Sequence, residues 1–177
     1  MLDTRRPQGP ESPPPSPPFR RAGGSRRRLR WLLLAGAALF ILAQAVPYGR
    51  SHSNPKTDVE PRWANPQTRE LAARACFDCH SNLTTWPWYS NVAPVSWLVQ
   101  RDVDGGRAAL DFSQWTQPQD TSAGDIIEAI SSGSMPPWFF TLMHGNAKLS
   151  AAEKQQLIAG LAATFRRSPL LGGGDGG

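Results

Sequence analysis

The 177-residue chain has little of what most active sites and covalent scaffolds require: two cysteines, three histidines, three methionines and two tyrosines. With only two cysteines, neither has another covalent partner available in the chain. A zinc site would need four ligands, and only His52, His144 or a carboxylate could join Cys76 and Cys79 in one. No strand-rich stretch surrounds residue 76, so a dithiol redox pair lacks the strand–helix–strand setting it belongs to. Charge of one sign is scarce too, once the +5 balance is divided. Residues 1–30 carry eight arginines against Asp3 and Glu11, whereas the remaining 147 residues sum to −1. The folded part therefore gives no support to nucleic-acid binding.

What is present is concentrated in Cys76-Phe77-Asp78-Cys79-His80. Two cysteines separated by two residues and followed at once by histidine form the attachment signature of a c-type haem. Each sulfur adds to one vinyl group of the porphyrin edge, so the two must sit a fixed distance apart, which one helical turn supplies. The next residue then swings beneath the ring, where an imidazole nitrogen can bind the iron. Adjacent Cys79 and His80 fit one tetrahedral zinc ion poorly. A chance cluster of two thiols and a histidine leaves the spacing unexplained. One covalent haem c per chain is the expected cofactor.

The N-terminal region addresses location. Seven prolines lie between Pro7 and Pro18, and residues 1–30 are expected to be a disordered Pro/Arg-rich cytoplasmic segment. Arginines then stop against an apolar run, Trp31 to Val46, in which Gln44 is the one strongly polar residue and which Pro47 ends. As a helix it would span roughly 24 Å, a little short for a bilayer core. Flanking arginines can snorkel, and Trp31 and Tyr48 sit where interfacial aromatics belong. The expectation is a single transmembrane signal anchor over 31–47, with the rest on the outer, periplasmic side of a bacterial cytoplasmic membrane. Ala43-Gln44-Ala45 also matches a small-x-small cleavage site, but the leader is long for a signal peptide, and an uncleaved anchor is preferred. Ser25-Arg26-Arg27 hints at twin-arginine export, a route for folded cargo that suits haem attachment to an unfolded chain poorly.

Residues 48–62 are polar, contain Pro55 and Pro61, and read as a linker. Four helices are expected in the domain over 63–167. One starts at Asn65-Pro66 and runs to the cysteines. A second starts at Ala93-Pro94, buries Val95, Leu98, Val99 and Val103, and stops at Asp104-Gly105-Gly106. Ser122-x-x-Asp125 and Ser150-x-x-Glu153 are capping boxes that start the others. The third buries Ile126, Ile127 and Ile130 and ends at Gly133; the fourth buries Leu157, Ile158, Leu161 and Phe165. Residues 168–177 form a glycine-rich, disordered tail. Four short helices bury only a thin core, and a flat apolar macrocycle would fill that deficit. Trp86, Trp88 and Tyr89, just beyond His80, are the aromatics expected nearest it; ordinary packing is the competing role for each.

A sixth ligand has few candidates. Met135, between Gly133-Ser134 and Pro136-Pro137, lies in a loop that proline fixes. Methionine opposite histidine raises the reduction potential. Met143 and His144 are rivals, His144 giving a bis-histidine iron of lower potential. His52 falls in the linker and is expected to be free. Arg101 or Arg107 could pair with a haem propionate, although a solvated helix-end charge is the ordinary reading.

Taken together, Cys76-Phe-Asp-Cys-His-Ser-Asn-Leu-Thr-Thr-Trp-Pro-Trp-Tyr-Ser90, Ala93-Pro-Val-Ser-Trp97, Gly106-Arg107, Phe112-Ser113-x-Trp115, Gly133-Ser-Met-Pro-Pro-Trp138, His144 and Leu149-Ser150 resemble the haem-binding-domain family of small bacterial monohaem proteins. The resemblance covers roughly residues 60–167. It implies a cytochrome c-like all-α domain wrapped around one covalent haem on Cys76 and Cys79, with His80 as proximal ligand. The reading that follows is a membrane-anchored electron carrier rather than an enzyme, with His80 and Met135 on the iron and redox proteins as partners. A haem-based sensor with an open or displaceable sixth position is the alternative.

Overall fold

The computed structural model describes residues 23–172. Their elements are all helical: α1 (Gly23–Ala43), α2 (Pro66–Ala75), α3 (Phe77–His80), α4 (Val95–Ala109), α5 (Ala123–Ser132), α6 (Trp138–Met143) and α7 (Ala151–Arg167). Single 3-10 turns lie at Trp88–Asn91 and Gly145–Ala147. Extended pairing among the described residues is limited to the isolated bridges Val59–Gln114 and Pro118–Leu171. The all-α expectation holds.

Local chemistry sets several helix ends. The Asn65 side chain accepts from the Thr68 amide at 2.8 Å, with Pro66 at the first helical position. Ser122 and Ser150 form reciprocal capping boxes with Asp125 and Glu153. Gly133 ends α5 in the left-handed conformation, φ 80°.

The N-terminal region matches its expectation in part. The apolar run is helical, but no helix among the described residues is long and apolar enough to cross a membrane. Helix α1 starts at Gly23, so Arg26, Arg27, Arg28 and Arg30 occupy its first turns, and it ends at Ala43. The apolar part, Trp31 to Ala43, spans roughly 20 Å, against about 30 Å for a hydrocarbon core. Gly23 to Arg30, expected to be disordered, is helical; residues 1–22 lie outside the described part, as do 173–177 of the tail. The chain divides into two units after Leu39, inside α1. In the first unit Trp31, Leu32, Leu33 and Leu34 are all exposed.

In the second unit α2 packs on α3 and α7, and α5 packs on α7. Their buried faces meet through Leu71, Phe77, Ile126, Ile130, Leu157, Leu161 and Phe165. Phe112, Trp115 and Phe165 stack in a near-parallel column with centroids 5.9 Å apart, and Trp63 tilts against Phe77 and Phe112. Trp63 and Trp115 are thus core residues. Residues expected to be a linker are pinned to this core. The Asp58 amide donates to Ser113, Val59 accepts from the Trp115 amide, and Glu60 pairs with Arg69 at 2.6 Å.

Helix α4 departs from its sequence reading twice. It runs on to Ala109 through Gly105 and Gly106, and its buried face is Ser96, Gln100 and Val103, leaving Val95 and Leu98 exposed. The glycines do not break the helix because Gly106 serves packing: a Cβ there would collide with the carbonyl of Cys79. The missing side chain lets α4 lie directly on α3.

Candidate haem site

Helix α3 is a single turn, closed by the Cys79 and His80 amides donating to the Cys76 carbonyl at 3.1 and 2.8 Å. That turn carries Cys79 and His80 directly after Cys76, as the motif's spacing requires. Both thiols are free and half-buried. Burial pushes Cys76 up to about 12, with a further push from Cys79, and it pushes Cys79 up to about 11, where Asp102 and Asp78 add to it. In the closed fold both are thiols, not thiolates.

His80 is oriented from the far side of the chain. Its Nδ1 lies 3.1 Å from the Leu110 carbonyl, so Nδ1 carries the proton and Nε2 the lone pair. Burial holds the imidazole below its usual range, with backbone contacts to Leu110 and Gly106 opposing, so the ring is neutral and able to bind a metal. The Phe112 amide donates to the His80 carbonyl at 2.9 Å, fixing the strand that leaves α4 against the motif.

The segment after the motif is held as firmly. Ser81 caps Phe77 through its hydroxyl at 2.8 Å, and the Thr85 amide donates to Asp78 at 2.9 Å. Arg107 donates to Ser81 O, Ser53 O, Asn54 Oδ1 and Thr84 Oγ1, at 2.8–3.1 Å. Those bonds commit its guanidinium to the protein and correct its reading as a solvated charge. Arg101 is exposed. His52, expected to be free, stacks on Trp86 with centroids 4.7 Å apart and places Nε2 2.9 Å from Ser90 Oγ.

The other site candidates divide. Tyr89 sits beside the motif: burial raises its phenol, and the charges of Asp78 and Cys79 raise it further. Its hydroxyl is 3.3 Å from His144 Nε2, while His144 Nδ1 is 3.1 Å from the Phe140 carbonyl, so both nitrogens of His144 are engaged. Trp86 covers His52 and donates to Asn54 at 3.1 Å; Trp88 is edge-on to Tyr89 and 78% exposed. Met135 lies just beyond α5, its amide donating to Ala129 at 3.0 Å, with its side chain exposed. Met143, Trp138, Phe139 and Leu142 on α6 are exposed as well, and α6 packs on no helix except the 3-10 turn that follows it.

These residues fit a haem. Val95, Val99, Asp102 and Gly106 recur at three- and four-residue spacing, so they form one stripe of α4. Gly106 abuts the Cys79 backbone, and the stripe, which includes the charged Asp102, therefore runs from exposed Val95 to the motif. Exposed Val95 and Leu98, and the aromatic face of α6, are what a flat apolar ligand would cover. Among the described residues no three His, Cys, Asp or Glu side chains gather as an alternative metal site. The chain belongs to the haem-binding domain family. That family's model matches residues 38–163, most of the chain and all of the site described above. No curated protein and no solved structure matches the chain. The matched region of this haem-binding domain begins inside α1, earlier than the 60 at which the sequence motifs start. Sequence reasoning missed Leu110, Gly106 and the role of Arg107. Only the adjacent Gly106-Arg107 pair among the shared motifs signalled the last two.

Proposed function

We propose that the protein is a c-type cytochrome that carries single electrons, with Cys76 and Cys79 in thioether linkage to one haem, His80 Nε2 on the iron and Met135 opposite. The observation that carries this reading is the Nδ1 of His80 held by Leu110, 3.1 Å away, directly after two free cysteines on one helical turn. Each thioether forms by adding S–H across a vinyl double bond, sulfur to one carbon and hydrogen to the other, with no change in overall oxidation state. The bound iron supplies a reversible ferric–ferrous couple. The protein's part is to hold two axial side chains and exclude water, and no substrate is transformed.

Support for Met135 over His144 comes from the latter's engagement with Tyr89 and Phe140. The arginines in the first turns of α1 favour a cytoplasmic N-terminus and a domain on the outer side, where haem is attached. Helix α1 is short for a span, and the stems of Arg26, Arg27, Arg28 and Arg30 extend its reach by snorkelling.

Two measurements test the reading. Protein made with a working attachment apparatus should stay haem-coloured on a boiled denaturing gel; a colourless band ends the covalent assignment. Its ferrous form should bind carbon monoxide slowly and incompletely. Rapid, complete binding would favour a sensor with an open sixth position.

A further inference from the structure

Gln44, the polar interruption in the apolar run, is built into the domain. Its Nε2 donates to the Ala93 carbonyl at 2.9 Å and its Oε1 accepts from the Ala93 amide at 3.1 Å, so the carboxamide pairs with one residue's backbone in both directions. Nε2 also donates to Phe40 O at 3.0 Å, and Arg50 donates to Oε1 at 3.0 Å. Two donors and two acceptor positions are thereby all used. Ala93 is fully buried, so water is not available to replace Gln44.

Two independent observations agree. Gly49, at φ +82°, lies against the Ser96 carbonyl so closely that no Cβ would fit, which seats the chain after α1 on the start of α4. The family match begins at residue 38, upstream of Gln44, and the folded unit begins at Phe40.

We infer that Gln44 is a latch that makes the end of α1 part of the haem domain, so that Ala43-Gln44-Ala45 is not a processing site and the mature chain retains it. A chain starting at Val46 would leave the N–H and C=O of Ala93 buried without partners. The inference deepens the anchoring read above by keeping residues 1–45 in the mature chain.

Intact mass of the exported wild-type protein tests this, covalent haem certifying that export occurred. The expected mass includes residues 1–45; a haem-bearing product starting at Val46 overturns the inference. In the full chain, Gln44→Ala should lower the unfolding midpoint by roughly 3–6 °C and speed hydrogen exchange at the Ala93 amide about tenfold. Gln44→Glu, which can accept but not donate, should fall between. Unchanged midpoint and exchange in Gln44→Ala would also overturn it. A retained, latched chain found in the soluble fraction would remove the membrane reading and leave the latch standing.

Discussion

The imidazole Nδ1 of His80 points at the carbonyl oxygen of Leu110, 3.1 Å away and thirty residues along the chain. This contact chooses the tautomer: with the proton on Nδ1, the outward nitrogen is the one with a lone pair. In holo-protein, His80→Ala should leave the haem covalently bound, lose the low-spin absorption spectrum and regain it on adding imidazole. A variant with an unaltered spectrum would show that His80 is not on the iron.

Gly106 and its neighbour Gly105 should respond to alanine with opposite signs. A methyl at 106 meets the Cys79 carbonyl, a backbone atom that cannot step aside, whereas nothing lies within 4 Å of the same position at 105. Gly106→Ala should destabilise the protein by about 1–3 kcal/mol through overpacking. Gly105→Ala, exposed and inside a helix, should stabilise by up to about 1 kcal/mol. Urea unfolding of both variants measures the pair.

Met135 and His144 are separable by spectroscopy. If the thioether is the sixth ligand, Met135→Ala should abolish the weak far-red ferric band and admit carbon monoxide rapidly. His144→Ala should leave that band in place, because its nitrogens serve Phe140 and Tyr89. The reverse pattern would make the iron bis-histidine.

Acid stability should follow two carboxylates. The Ser150 amide, Arg74 and the Ser150 hydroxyl hold Glu153 down to about 2, and the hydrogen bond from Arg69 holds Glu60 below its usual range against its own burial. A folded-state value below the unfolded one gives stability that is complete above pH ~4.5 and is lost as pH falls toward the folded value. The share of the denaturant midpoint that these two carboxylates supply should therefore be level from neutral pH to about 5 and drop between about 4.5 and 2, while in haem-free protein His80, buried and neutral, adds its own loss below pH 6.5. Glu153→Gln should lower the plateau and flatten that drop; an unchanged acid limb would remove Glu153 from the cause.

Much of the site could be read without coordinates because its chemistry is local. Cys76, Cys79 and His80 occupy one helical turn, so five consecutive residues specify two sulfurs and an imidazole at workable positions. Helix starts at Asn65, Ser122 and Ser150 were legible for the same reason, each cap closing over three residues. The pattern misled where one residue type serves two purposes. Gly105-Gly106 reads as a stop, yet Gly106 is there to admit the Cys79 backbone. Val95 and Leu98 read as core, yet both are exposed, Val95 at the far end of the stripe that runs to Gly106.

The amino-acid sequence by itself determined the attachment turn, the helical class and the helix caps, since each is governed by contacts within a few residues. Tertiary structure alone decided the tautomer of His80, the closeness of α3 and α4, the engagement of His144 and Arg107, and the docking of Gln44 on Ala93. Each of those joins groups about twenty to fifty-five positions apart. No local spacing encodes such a pairing; it exists only once the buried faces of the helices have packed and brought the two polar groups out of water together.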